Sequence, residues 1–343
     1  MEFAYYILNT YIPELDGSPA DVYAHYLEQV AAAEAVGFDA VWVTEHHFSR
    51  YGGLTPSPQL LLTAFSQHVP RLRLGSAVSV LPLHQPLRIA EDFAMLDVLS
   101  GGRLEFGAGR GMVVSGYDGY GASWEGAQGR LKEALELIER LWTEPVVSFA
   151  GQHYHCEDVT LLPRPVQQPR PPIWMPANVD PESFRWAGAR GYNLLLVPWV
   201  FPYELTRANV ALYREARAAA GHAGPGRLLA MYPCHVAETT DLARAQAEAA
   251  WLRWRELTAL ERHSDPRTAD RPHRRGVISF DAAIAERVAL FGDPAQCIAT
   301  ARWAAETLGI TQLALVFHFG GIDPGAALRA VDLWGREVAP ALR

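Results

Sequence analysis

Short apolar, β-branched runs alternate with longer stretches whose apolar residues recur at helical spacing. The short runs predict eight strands, at residues 3–8, 39–44, 72–80, 103–108, 172–177, 193–198, 228–237 and 311–318. The longer stretches predict helices near residues 20–36, 58–68, 86–99, 127–142, 181–190, 203–220, 241–260 and 323–338, with a further helix near 294–308. Eight strands, each followed by a helix, indicate an α/β fold of the (β/α)8 TIM-barrel type, and an open doubly wound sheet is the rival.

Two stretches interrupt this alternation. Residues 145–171 contain a short β-like segment followed by a proline-rich run, which predicts an extended excursion after strand 4. Residues 261–280 are polar and precede strand 8, where they form either a lid over the barrel or a solvated surface loop. The surface loop is the favoured interpretation. The prediction is therefore a single domain over residues 1–343 that carries two insertions.

Composition narrows the class of protein. The chain has 343 residues, is 49% hydrophobic and has a formal net charge of −8, with no block of Lys and Arg, which argues against nucleic-acid binding. Cys156, Cys234 and Cys297 are scattered, which argues against a disulfide framework or a CxxC metal site. No signal-peptide pattern or bilayer-length apolar run is visible, so the expectation is a soluble, cytoplasmic protein that does not bind membranes.

The second predicted strand leads directly into an acid and two imidazoles. Glu45, His46 and His47 follow this strand and precede Phe48. The carboxyl ends of the strands form the catalytic face of a TIM barrel, and histidine titrates near neutral pH, so these residues are candidate proton-transfer groups. Because adjacent strand residues point to opposite faces, at most one of the two histidines should face a given ligand. The alternative is that they merely cap the strand. Adjacent histidines chelate one ion poorly, so no metal site is predicted.

Three further segments indicate where a planar, anionic ligand could bind. The run FGAGRG at residues 106–111 follows a strand, and its Arg110 could hold a phosphate or a carboxylate, although an exposed arginine in a βα turn is the alternative. Arg130 could reach the same anion or pair with a surface acid. Residues 178–183 precede a helix, where backbone N–H groups either bind an anion or are capped by side chains.

The third strand carries small residues where a barrel usually has large ones. Ser76, Ala77 and Ser79 could leave room for a flat ring, or could form a layer of small core residues. Aromatic residues on or after strands either line a pocket for a planar cofactor or pack in the core, and core packing is favoured for each one. They are Tyr6, Trp42, Phe48, Phe106, Trp174 and Trp199.

Together these segments resemble the bacterial-luciferase family of flavin-dependent monooxygenases over most of the chain. The matching segments are residues 37–48 (GFDAVWVTEHHF), 74–82 (LGSAVSVLP), 86–92 (PLRIAED), 96–111 (LDVLSGGRLEFGAGRG), 171–174 (PPIW) and 187–191 (AGARG). Each short piece is unspecific, whereas the ordered set is highly specific. The resemblance implies a TIM barrel, usually a homodimer, that binds reduced FMN supplied by a separate flavin reductase.

The resemblance also implies a reaction. Reduced FMN would react with O2 to give a C4a-(hydro)peroxyflavin, which oxidises a small organic substrate. The role of the base falls on His46, with Glu45 and His47 completing the catalytic group.

Family positions for the cofactor can be carried over in the same way. Arg110 and Arg130 would hold the FMN phosphate, and the loop with Asn178, Val179 and Ser183 would complete that site. A cis non-proline peptide beneath the flavin ring would fall at Ala77–Val78.

Two departures from the family pattern limit the analogy. The cysteine that luciferases have just before the phosphate-binding arginine is replaced by Gly109, which puts a light-emitting, aldehyde-oxidising role in doubt. His84 and Gln85 are also out of step with the local pattern. Two alternative functions stay open at this point: a hydride-transfer oxidoreductase that uses a deazaflavin, and a non-catalytic flavin-binding barrel.

Overall fold

Eight parallel strands close into a barrel in the computed structural model, which describes residues 1–8, 10–52, 54–263, 265, 267 and 277–343. The strands in chain order are β1 (Glu2–Ile7), β2 (Ala40–Val43), β3 (Arg73–Ser76), β4 (Ser79–Val80), β5 (Leu104–Gly109), β6 (Val147–Ala150), β7 (His155–Val159), β8 (Ile173–Pro176), β9 (Asn193–Leu196), β10 (Leu228–Val236), β11 (Leu290–Gly292) and β12 (Gln312–Val316). The ring runs β1, β2, β3, β5, β8, β9, β10, β12 and returns to β1. The predicted TIM barrel is confirmed over the open sheet.

Helices surround this barrel. They are α1 (Pro13–Asp16), α2 (Pro19–Ala35), α3 (Pro58–His68), α4 (Pro86–Leu99), α5 (Ser115–Gly119), α6 (Ala127–Thr143), α7 (Pro181–Ala189), α8 (Tyr203–Ala219), α9 (Thr240–His263), α10 (Phe280–Ala285), α11 (Pro294–Leu308) and α12 (Pro324–Leu333). Several helices begin with a proline that directly follows a capping residue. Ser18 caps α2 in this way, and Asp293 caps α11. Within the described ranges, no helix combines the length and the apolar character needed to cross a membrane.

The interruptions of the repeat differ in outcome. The excursion predicted after the fourth barrel strand, which is β5, is confirmed. It is an antiparallel hairpin of β6 and β7, in which Phe149 pairs with Cys156. Before the last barrel strand, which is β12, helix α9 extends to His263. The short strand β11 pairs with the end of β10, and the sequence pattern did not predict it. The proposed lid or loop at 261–280 falls mostly outside the described residues.

The amino-terminal half of the barrel interior is filled. The indoles of Trp42 and Trp174 meet edge to face with centroids 5.2 Å apart. The buried carboxylate of Glu105 accepts hydrogen bonds from Trp174 at 2.6 Å, from Arg227 at 2.8 Å and from Arg73. Because the charge of Glu105 is paired with two guanidinium groups, it is tolerated on the barrel axis.

The predicted third strand is interrupted. It separates into β3 and β4 around the peptide Ala77–Val78, which is cis as the family resemblance implies. At the break, the hydroxyl of Ser76 donates to the carbonyl of Gly107 at 2.8 Å and accepts from the amide of Gly107 at 3.0 Å. A side chain therefore takes over the strand pairing where the backbone leaves the sheet. We call this contact the Ser76–Gly107 seam.

The seam leaves no room for a side chain at Gly107, since a Cβ there would overlap the carbonyl oxygen of Ser76. We therefore expect Gly107→Ala to lower the free energy of unfolding by about 2–3 kcal/mol or more, because backbone cannot move aside as a flexible side chain can. Urea denaturation measures the change. The matched control is Gly129→Ala in α6, where the nearest atom lies at the tip of His153. It should be neutral or slightly stabilising, and equal losses for both variants would contradict the prediction.

Candidate active site at the barrel mouth

A cavity of about 360 Å3 opens among the carboxyl ends of the strands. Nine of the predicted site residues line it, namely Glu45, His46, His47, Ala77, Val78, Arg110, Asn178, Val179 and Ser183. Apolar side chains form much of the remaining wall, including Met112, Leu131, Met175, Leu196 and Phe201. The fold thus gathers short sequence segments from several strand ends around one apolar chamber with polar groups at its edges, which is the usual form of a small-molecule site.

The carboxylate of Glu45 organises one side of this chamber. One of its oxygens accepts hydrogen bonds from Nε2 of His47 at 2.9 Å and from Nε2 of His84 at 2.6 Å. The other oxygen accepts from the backbone amide of Val80 at 3.0 Å. Burial acts to raise the pKa of Glu45, but the hydrogen bonds from His47 and His84 outweigh it and bring the pKa to about 2. Glu45 is therefore ionised at neutral pH.

His84 is a site residue that the sequence interpretation missed. It follows the short 3-10 turn Leu81–Leu83 after β4, and in the sequence it was visible only as a departure from the family pattern. Burial acts to lower its pKa, but the hydrogen bond and the charge of Glu45 raise the pKa above its usual value. A histidine after a barrel strand is a usable signal for a site residue. The pairing with Glu45 could not be read from that signal, since 39 residues separate the two.

The expectation that at most one of the two histidines faces a ligand site is wrong, because both His46 and His47 line the cavity. Strand β2 ends at Val43, so the alternation of a strand does not govern residues 44–48. The two rings differ instead in their contacts. His47 is bonded to Glu45, and its Nδ1 lies 3.4 Å from the hydroxyl of Tyr120, whereas His46 meets the ring of Tyr51 edge to face.

One cluster of side chains could in principle hold a metal ion, although no metal site is predicted from the sequence. It consists of Glu45, His47 and His84, and one ligand atom from each lies within 4.8 Å of the others. The hydrogen bonds just described account for this convergence by pairing two imidazoles with one carboxylate.

Arg110 brings a positive charge to another part of the cavity. Its guanidinium lies 4.5 Å from the ring centroid of Trp124, and its carbonyl accepts a hydrogen bond from the hydroxyl of Tyr117 at 2.5 Å. No carboxylate among the described residues forms an ion pair with it. Arg130 is placed differently, because its guanidinium donates to the carbonyls of Ser123 and Glu125 and it is not among the cavity-lining residues. Of the two arginines, Arg110 therefore lines the cavity and Arg130 does not.

At the start of α7, the capping alternative is what the structure shows. The carboxylate of Asp180 accepts from the amides of Glu182 at 3.2 Å and Ser183 at 3.1 Å, and from the hydroxyl of Ser183 at 2.8 Å. Asp180 lines the cavity with these groups. The donors expected to hold an external anion are thus already engaged by an acid of the same chain.

The break between β3 and β4 shapes a further part of the cavity wall, at Ala77 and Val78. The carbonyl of Ala77 accepts a hydrogen bond from the hydroxyl of Tyr6 at 3.1 Å. A Cβ at position 109 would lie 2.6 Å from a methyl carbon of Val78, so glycine is the residue that fits beside this turn. The departure at Gly109 therefore has a steric reason within this chain. Of the six aromatic candidates, Tyr6 lines the cavity. Phe106 instead packs against Phe93 of α4 and Trp142 of α6, between the barrel and its helices.

Residues 1–312 match the family model described as luciferase-like monooxygenase. The chain is 29% identical to monooxygenase RslO1 from Streptomyces bottropensis, whose crystal structure superimposes with a TM-score of 0.92 over 100% of both chains. It is 33% identical over 184 residues to the oxygenase component of flavin-dependent trigonelline monooxygenase from Acinetobacter baylyi, covering 52% of this chain and 49% of that protein.

More distant structures share the fold alone. The oxygenating constituent of 3,6-diketocamphane monooxygenase from Pseudomonas putida, in complex with FMN, is 19% identical with a TM-score of 0.81, covering 99% of this chain and 98% of that chain. An F420-dependent secondary alcohol dehydrogenase is 18% identical with a TM-score of 0.74, covering 100% of this chain and 99% of that chain. Both FMN and F420 therefore occur in proteins of this fold.

The ion pair of His84 with Glu45 predicts how stability depends on pH. Because the pKa of His84 is raised above 6.5 in the folded chain, the pair contributes fully below about pH 6.5, and its contribution is lost as the pH rises through the raised value. The difference in free energy of unfolding between the wild type and His84→Gln should therefore be largest near pH 6 and shrink towards about pH 9. Chemical denaturation across this range measures it.

A suitable control is His68→Gln, which changes an exposed histidine at the end of α3. Its difference from the wild type should stay small and flat with pH. A difference for His84→Gln that is constant, or that grows as the pH rises, would show that the pairing with Glu45 is not the cause.

Proposed function

Since the chain belongs to the luciferase-like monooxygenase family, we propose that it is the oxygenase of a two-component system. It would use reduced FMN and O2 to oxidise a small organic substrate through a C4a-(hydro)peroxyflavin. The observation that carries this proposal is one apolar cavity that contains both a guanidinium without a carboxylate partner among the described residues, Arg110, and a histidine–carboxylate group at Glu45, His46 and His47.

The residues present fit FMN. Arg110 offers a charge-assisted donor for the phosphate. Asn178, Val179 and Ser183 lie in the loop that would complete that end once Ser183 releases the carboxylate of Asp180. Ala77, Val78 and the apolar wall offer a surface for the flat ring. Arg130 would have to leave the carbonyls of Ser123 and Glu125 to reach the same phosphate. When bound and reduced, the flavin supplies the electrons that activate O2, which no side chain of the site can provide.

The protein groups would act around the cofactor. We assign proton transfer to His46, which lines the cavity with a ring nitrogen suited to acid–base work near neutral pH. Glu45 and His47 complete the group, and His84 supplies a second donor that keeps the carboxylate of Glu45 charged and fixed. The apolar walls would exclude water and so protect the peroxyflavin from collapse to oxidised flavin and hydrogen peroxide.

Partners follow from the same proposal. A flavin reductase would deliver reduced FMN, in keeping with a relative named as an oxygenase component. The expected homodimer is compatible with exposed apolar side chains on two neighbouring helices, Leu60 of α3 and Met95 and Leu99 of α4, which are 72%, 49% and 49% exposed.

One alternative cofactor is supported by a specific observation. Proteins of this fold include F420-dependent enzymes, so a deazaflavin that transfers hydride without O2 stays the second candidate. Titration of the protein with FMN and with F420, followed by flavin fluorescence, separates the two. A barrel that binds flavin normally yet consumes no O2 with any substrate would instead support the non-catalytic alternative.

The assignment of His46 gives the main test of function. We expect reduced FMN to bind the wild type, and mixing with oxygenated buffer to give a flavin peroxide that is long-lived by stopped-flow absorbance. His46→Ala should lower turnover by about 100-fold or more, because proton transfer by a positioned side chain contributes on that scale. The affinity for reduced FMN should change by no more than about twofold. Absence of reduced-FMN binding would end the proposal, and unchanged turnover would end the role of His46.

The phosphate end gives a second test, which uses FMN and riboflavin as ligands that differ only in the phosphate. Arg110→Gln should weaken FMN binding by about 10- to 100-fold and leave riboflavin binding unchanged, since it removes a charge-assisted hydrogen bond. Asp180→Asn should have the opposite sign and tighten FMN by about 5-fold, because it removes a negative charge where the phosphate must lie. Fluorescence titration measures both.

Glu182→Gln is the matched control for Asp180→Asn. It removes an exposed carboxylate from the same first turn of α7, and the ratio of FMN to riboflavin affinity should change little. If Arg110→Gln weakened both flavins equally, Arg110 would be holding the ring or the fold and not the phosphate.

A further inference from the structure

Two aromatic side chains project into solvent beside the cavity. Phe48 is 65% exposed and Tyr120 is 52% exposed. The centroids of these two rings are 5.3 Å apart. The ring of His47 lies close to both, with its centroid 5.9 Å from that of Phe48 and 5.0 Å from that of Tyr120. Because His47 lines the cavity, the two rings adjoin one residue of the cavity wall. We call the pair of Phe48 and Tyr120 the aromatic rim.

The rim is held in place although little of it is buried. Phe48 has φ of 54°, a left-handed conformation that a bulky residue rarely adopts. Its ring lies directly over Gly119 in α5, where a Cβ would overlap it. The hydroxyl of Tyr120 lies 3.4 Å from Nδ1 of His47, and Ser115 at the start of α5 donates to the carbonyl of His47 at 3.0 Å.

Core packing does not explain this arrangement, since hydrophobic burial stabilises a side chain only in proportion to the area removed from water. Costly backbone conformations persist mainly at sites with a function. An exposed apolar patch next to a cavity is a typical ligand surface. The nearby acid Asp118 is neutralised by two hydrogen bonds from Arg267, at 2.9 Å and 2.7 Å. The entrance is therefore aromatic and carries no free negative charge from this residue.

We propose that the aromatic rim binds a flat, unsaturated ring system of the substrate at the entrance of the cavity. It would make the enzyme prefer substrates with fused or conjugated rings over saturated ones of the same size. Aromatic faces recognise other π systems by offset or edge-to-face contact beyond simple apolar burial, and a saturated ring cannot make that contact. This inference rests on the proposed function, because it assumes that the cavity is the substrate site.

The test uses two probes with the same carbon skeleton, 2-naphthol and its saturated analogue 2-decalol. Binding of each to the FMN-loaded protein is measured by isothermal titration calorimetry. We expect 2-naphthol to bind the wild type about 10-fold more tightly, although 2-decalol is no less apolar. Tyr120→Leu and Phe48→Leu should bring the ratio close to one, whereas Tyr120→Phe, which retains the ring, should preserve it. The control is Leu162→Ala, which shortens an apolar side chain that is 74% exposed and to which no role is assigned; it should leave the ratio unchanged.

Several results would overturn the assignment. One is an equal affinity of the wild type for both probes, and another is a ratio that survives in Tyr120→Leu and Phe48→Leu. A third is a loss of reduced-FMN transfer from a reductase in these variants with unchanged 2-naphthol binding, which would make the rim a protein-docking surface. FMN titration of the same samples keeps the two ideas apart. Normal FMN binding without ring preference removes the rim alone, whereas absent FMN binding removes the proposed function.

Discussion

The Ser76–Gly107 seam is the interaction on which the site depends. A closed barrel needs every strand paired, yet a cavity needs one strand to leave the sheet and bring backbone to its wall. The hydroxyl of Ser76 meets both requirements, because it bonds the amide and the carbonyl of Gly107 where β3 ends. The chain can then turn at Ala77–Val78 and resume as β4, beside the one residue type that leaves it room, Gly109.

The barrel interior is divided by side-chain size. Below the seam, Trp42, Trp174 and the paired charge of Glu105 fill the space between the strands. Above it, small residues leave the cavity open. An eight-stranded barrel is just wide enough for either filling side chains or one small ligand at a given level. The rigid lower half therefore serves as the base on which the loops of the mouth are fixed.

A few charged side chains organise the mouth of the barrel. Glu45 is the acceptor for groups from three successive segments, His47, Val80 and His84, so a single buried carboxylate ties the loops after β2 and β4 together. At the other end, Arg110 lies in the cavity without a carboxylate partner among the described residues, while Asp180 occupies the donors at the start of α7. The cavity therefore holds one positive and one negative group at the end where the proposed phosphate would bind.

The sequence alone determined the barrel, its hairpin insertion, the cis peptide position and nine of the cavity-lining residues, because strand periodicity and an ordered set of family segments are local properties of the chain. It did not determine the outward role of Phe106, the break of the third strand, or the presence of β11. Nor could it show that both His46 and His47 line the cavity, that His84 shares Glu45, or that Arg130 donates to the carbonyls of Ser123 and Glu125. These depend on where strands end and on which distant side chains then meet. Only the closure of the barrel decides such contacts, since it brings together residues that lie tens to hundreds of positions apart.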